Sequence, residues 1–123
     1  MPVNTYRHLP EYTFQVTLAA GIAAREFTFK SPNFLTRFSR FDAAADAADG
    51  TDKPTWTVIV GSTTIATGTA IVAADTVSSI TAVDAGQSDL IPANSTIKLS
   101  LSTAGTAGNV LGLTARLALV GTN

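Results

Sequence analysis

Apolar and polar side chains alternate residue by residue along most of this chain, and that period restricts the fold more than any other feature. In TFQVTL, Phe14, Val16 and Leu18 alternate with Thr13, Gln15 and Thr17, and EFTFK repeats the pattern with Phe27 and Phe29. Successive side chains of a strand point to opposite faces, so each run reads as a half-buried strand, with Gly21 marking the turn between the two. TWTVIV sets Trp56, Val58 and Val60 on one face. Gly61-Ser62 then makes a two-residue connection suited to a primed hairpin turn, and TTIATG returns. VSSITAV, STIKLSLS and LTARLALV complete the set. Ile97, Leu99 and Leu101 face one way, as do Leu113, Ala115, Leu117 and Leu119. Threonine, valine and isoleucine suit this geometry because their branched side chains pack well on a pleated surface.

One segment, SPNFLTRFSRFDAAADAADG, admits two readings. As a helix it has Ser31 at the cap, Pro32 in the first turn, Phe34, Phe38 and Phe41 near helical spacing and Gly50 beyond the end. As a strand it alternates Phe34, Thr36 and Phe38, and its aspartates avoid the negative end of a helix dipole. The β context on both sides favours a strand followed by a loop. The four aspartates of DAAADAADGTDK, at Asp42, Asp46, Asp49 and Asp52, raise the question of calcium. A helix-loop-helix calcium loop needs oxygen ligands at alternating positions, a glycine at the sixth and a glutamate at the twelfth; the spacing here differs and no glutamate follows. A solvated connection broken by Asp-Gly and Lys-Pro steps explains the composition without a metal.

The inventory of reactive groups is poor. The chain has no cysteine, so thiolate nucleophiles and zinc-thiolate sites are excluded. His8, the single histidine, lies in a segment whose composition reads as an extended arm, and no nucleophile elbow exists for it to serve. Gly105 to Gly112 carries glycines without phosphate-loop spacing and reads as a hairpin connection. Nothing sets Glu11 and Glu26 at the separation that glycoside hydrolysis requires. Asn94-Ser95-Thr96 matches a glycosylation acceptor by pattern alone. A formal net charge of -1 gives no general attraction to nucleic acid or anionic membranes, and no signal peptide or membrane span is expected. The chain is therefore expected to be no enzyme, with no catalytic residue, metal or cofactor. With 46% hydrophobic and 14% charged residues over 123 positions, it is expected to fold as one domain.

The two halves differ. Every aromatic residue lies at or before Trp56, as do six of the eight basic residues; the remainder is built of small and branched side chains suited to packing sheet on sheet. The first twelve residues place Tyr6, Arg7, His8 and Tyr12 among prolines. These residue types anchor interfaces, and Tyr6, Arg7 and Tyr12 are the expected partner-binding residues of an N-terminal arm, 1–12, ahead of a domain over 13–123.

The order EFTFKSP, FLTRFSRFDAAADAADG, TWTVIVGSTTIATG, DLIPANSTIKLSLSTAG and LTARLALVG resembles small jelly-roll proteins of tailed bacteriophages, in particular head decoration (cement) proteins. The resemblance spans Phe14 to Gly121 and rests on strands and turns, notably the entry through Ile91-Pro92-Ala93-Asn94. It implies an all-β, eight-stranded antiparallel jelly-roll sandwich behind the arm. It also implies a structural virion protein on the capsid surface, with the major capsid protein as partner and a homotrimer as the oligomer. The family has no catalytic residues to transfer. The alternative is a carbohydrate-binding or lectin-like sandwich with Trp56 as an aromatic platform; the alternation of Trp56 with valines places the indole in the core instead.

Overall fold

Each alternating run forms a strand in the computed structural model, which describes residues 11–20, 25–46, 55–68, 77–102 and 111–122. In chain order these are β1 (Glu11–Ala20), β2 (Arg25–Lys30), β3 (Thr36–Ala44), β4 (Thr55–Val60), β5 (Thr63–Gly68), β6 (Ser78–Ile80), β7 (Leu90–Ile91), β8 (Thr96–Ser102) and β9 (Leu111–Gly121). All pairings are antiparallel. One sheet runs β1-β9-β3-β6, with β7 also on β3; the other runs β2-β8-β4-β5. The first strand pairs with the last, the second with the penultimate long strand, and the chain shuttles between sheets, which is the jelly-roll arrangement. The eight expected strands are present, and the two-residue β7 is additional. β1 opens at Glu11, so Tyr12 belongs to the strand.

The inner faces meet as the alternation requires. Ile97, Leu99, Leu101, Val58 and Trp56 of the second sheet pack against Leu113, Ala115, Leu117, Leu119 and Phe41 of the first, all essentially buried. Trp56 stacks beside Phe41 with ring centroids 5.0 Å apart. Gly61 has φ of 64°, the left-handed value the expected hairpin turn needs, and Val60 pairs with Thr63 across it.

The segment read as strand or helix is strand β3, and its near-helical spacing has a specific cause. The register against β9 shifts between Phe38 and Arg40, so Phe38 faces Leu119 and Phe41 faces Leu117. One extra residue in the bulged strand lets two aromatics three positions apart both point inward. Ser31 is no helix cap: its hydroxyl donates to Pro92 O at 2.9 Å and accepts from Ser95 N–H at 2.8 Å. Two backbone bonds beside it, Ser31 N–H to Ser95 O and Asn94 N–H to Pro32 O, both 2.9 Å, complete a clasp. Asn94 takes φ of 57° at this turn, a conformation asparagine tolerates better than most residues. The clasp fixes the loop 31–35 and with it the exposed Phe34 and Leu35.

Candidate functional site

On the outer face of the first sheet the residues between the core positions form a polar row. Gln15 of β1 pairs with Arg116 of β9, Arg116 with Asp42 of β3, and Asp42 with Ser79 of β6. Four strands thus bring one amide, one guanidinium, one carboxylate and one hydroxyl into line. Arg40 joins them because the bulge turns it outward beside Asp42.

Asp42 organises the row. Its Oδ1 accepts from Arg40 Nη2 at 2.8 Å, Arg40 Nε at 3.1 Å and Ser79 Oγ at 2.6 Å, and its Oδ2 accepts from Arg116 Nη2 at 3.3 Å. Its side chain is 13% exposed, against 46% for each arginine. Burial pushes the carboxyl up, but the bonds from Arg40 and Ser79, the charge of Arg40 and the bond from Arg116 outweigh it. The carboxyl is held below its ordinary value. In return Asp42, through its hydrogen bond and its charge, raises the Arg40 guanidinium.

Beside the row lies a groove of about 410 Å³, whose walls include Gln15, Arg40, Asp42, Thr114 and Arg116, with Val77 and Ala44 supplying apolar contact. That volume lies within the range of small-ligand clefts, and a few polar groups set in a partly apolar wall are the usual means of orienting a ligand.

Of the expected anchors only Tyr12 is among the described residues, and it lies away from the groove. Tyr6 and Arg7, like His8, lie outside the described residues, as do Asp49 and Asp52. Tyr12 packs edge-on against Phe34, ring centroids 5.3 Å apart, at one end of the sandwich where Phe34 and Leu35 are each 42% exposed. Asp42, read with its neighbours as part of a connection, stands in β3; Asp46 follows as an exposed residue against Gly112. Among the described residues no group of acidic and histidine side chains is arranged to hold a metal. Trp56 is 1% exposed, so it presents no platform. Glu26 lies 4.0 Å from Lys98 on the other sheet's outer face.

No protein-family model matches the chain, and no curated protein does. Among solved structures the chain is similar to the CBM36-1 domain of a multidomain xylanase from the hindgut metagenome of Trinervitermes trinervoides. The identity is 15% and the TM-score 0.54, over 93% of this chain and 99% of that one. It is also similar to a structure of infectious bursal disease virus, Gx strain (14% identity, TM-score 0.41, 94% of this chain and 33% of that one). A third is the C-terminal domain of EclA, a sugar-binding protein (12%, 0.42, 94% and 84%). The xylanase-domain match establishes a shared jelly-roll fold over almost the full length of both chains.

Proposed function

We propose that this chain is a non-catalytic binding domain that takes a carbohydrate in the groove beside Asp42 and Arg116. The observation that carries this reading is the groove itself: the Gln15 amide, the Arg40 and Arg116 guanidiniums, the Asp42 carboxylate and the Thr114 hydroxyl, from three strands, line one cleft. Such a set offers donors and acceptors to sugar hydroxyls while Val77 and Ala44 meet the apolar face of a ring. The fold shared with a carbohydrate-binding module of a xylanase is consistent with it, although that likeness is one of fold. With Trp56 in the core, recognition rests on hydrogen bonds rather than on a stacked indole. Affinity electrophoresis through gels containing a panel of neutral and acidic polysaccharides tests it. At least one polysaccharide is expected to retard the protein, with retardation diminished in Arg116→Gln; free migration through every gel sinks the reading.

A second reading, a capsid decoration protein bridging neighbouring subunits as a trimer on a phage head, is favoured by the aromatic corner. Tyr12 packs on Phe34, which with Leu35 forms an exposed apolar patch near the start of β1, a surface such a partner could cover. The outer face of the second sheet sets the short side chains Thr28, Thr57, Thr64, Thr67 and Ser100 around Ile59 and the Glu26–Lys98 pair, a surface with few charges to hold subunits apart. Light scattering on the full chain and on a chain lacking residues 1–10 tests it: a trimer supports this reading, and a monomer in both forms removes its symmetric clamp.

A further inference from the structure

We infer that the groove selects a carboxylate-bearing sugar, a uronic acid within an acidic polysaccharide, and that Arg116 receives the carboxylate. This rests on the carbohydrate reading of the same groove. Asp42 presents little of itself to a ligand: three donors occupy Oδ1, a fourth occupies Oδ2, and only 13% of the side chain is exposed. The two guanidiniums beside it are far more open, at 46% each. A ligand in the cleft therefore meets hydrogen-bond donors, and two cations face one anion that is already engaged.

The arginines are not equivalent. Arg40 directs both its Nε and Nη2 to Asp42 and also feels the charge of Glu11. Arg116 makes one long bond of 3.3 Å to Asp42 Oδ2, which leaves most of its planar fork of donors uncommitted among the described residues. That fork matches a carboxylate in a bidentate pair, a geometry an ammonium does not reproduce. Gln15, directly across from Arg116 on β1, adds an amide donor at the same level. Among the described residues, Glu11 and Asp46 are the next acidic groups on this face, each four positions along the chain from the row, with Glu11 acting on Arg40 rather than Arg116. Within the row two guanidiniums meet a single carboxylate, so its own balance is positive although the whole chain carries -1.

The test compares polygalacturonate and glucuronate-bearing xylan with the same polymers after reduction of their carboxyls, by isothermal titration calorimetry. Carboxyl reduction is expected to weaken binding about tenfold or more, the scale of losing a charge-assisted pair. Arg116→Gln is expected to bind native and reduced polymers alike. Arg116→Lys should recover only part of the preference, because it restores charge without the fork. Arg37→Gln, distant from the groove, serves as the control for general charge and should bind like the parent. Should Arg116→Gln fold poorly, judged by Trp56 emission, Gln15→Leu gives the second variant, expected to lower affinity for the native polymers. Equal binding of native and reduced polymers overturns the proposal while leaving the carbohydrate reading in place. Binding to none of these polymers overturns the proposal, and free migration through the whole panel of gels overturns the carbohydrate reading with it.

Discussion

Replacing Ser31 with alanine tests the clasp that sets the loop between β2 and β3. The Ser31 side chain is buried, with the residue 4% exposed, and its Oγ makes two bonds of good length: it donates to Pro92 O and accepts from Ser95 N–H. Alanine occupies nearly the same volume, so the cavity left is small and the cost is one of unmet hydrogen bonding. Ser95 N–H loses its acceptor, and an orphaned donor costs about 1–3 kcal/mol. Pro92 O keeps a second partner, the Ser95 hydroxyl at 2.7 Å, so its loss adds little. A total near ~2 kcal/mol corresponds to roughly 8 °C in Tm for a chain of this length, or a urea midpoint lower by about 1 M with the slope unchanged. Emission of Trp56, the single tryptophan and 1% exposed, reports the transition. Ser95→Ala removes only the exposed hydroxyl's bond and should cost about 0.5 kcal/mol. The double variant should cost more than the sum, because Pro92 O then loses both donors. A Ser31→Ala midpoint indistinguishable from the parent, or a Ser95→Ala loss as large, would refute the clasp.

Other expectations follow from the same geometry. Asp42→Asn should flatten the acid limb of the stability curve: the folded carboxyl lies below its ordinary 3.8, so its contribution is complete above that value and is lost as pH falls through the lower folded one. Urea unfolding across pH 2 to 6 measures this (~ range of carboxylate titration), and an unchanged acid limb in the variant speaks against the row. Gly112→Ala forces a side chain onto φ of +62° and into the Asp46 carboxyl, at about 1–3 kcal/mol. Asp46→Ala in the same chain should relieve the collision but not the backbone strain, so complete rescue in a denaturation assay counts against the φ argument. Iodide should quench native Trp56 emission weakly, and added polysaccharide should leave the emission unshifted; a quenchable, ligand-sensitive indole is incompatible with its place beside Phe41. Trp56→Phe removes an indole N–H that has no partner in the core and should be tolerated far better than Trp56→Ala, which opens a cavity at about 3–5 kcal/mol.

The strands were legible because each carries its own evidence. Val58 and Trp56, or Ile97 through Leu101, announce an inner face by alternation alone, and the Gly61-Ser62 turn needed only its two residues. Legibility failed where a local departure from period two mattered. Phe38 and Phe41 are three apart, the spacing a helix uses, and only pairing with β9 shows that a bulge places both inward. Ser31-Pro32 likewise looks like a helix start, yet the partners that occupy its hydroxyl are Pro92 and Ser95, more than sixty residues away.

The candidate site was illegible for a deeper reason. Gln15, Asp42, Ser79 and Arg116 each sit at an outward position of a strand, where alternation predicts a solvated polar residue and nothing more. Proximity in sequence pointed instead to the aspartate cluster, in which Asp42 and Asp46 share a face but not a partner. What unites the row is strand order: β9, the last strand, inserts between β1 and β3, and β6 closes on the far side. That order comes from pairing across the whole chain, and a one-residue slip in any of those pairings would move the row's member to the inner face. The buried alternation of Leu113, Ala115, Leu117 and Leu119 prevents that slip in β9, so the apolar core is what holds Arg116 between Gln15 and Asp42. Core and groove are therefore two faces of one register, and substitutions that loosen the packing of β9 should weaken ligand binding before they unfold the chain.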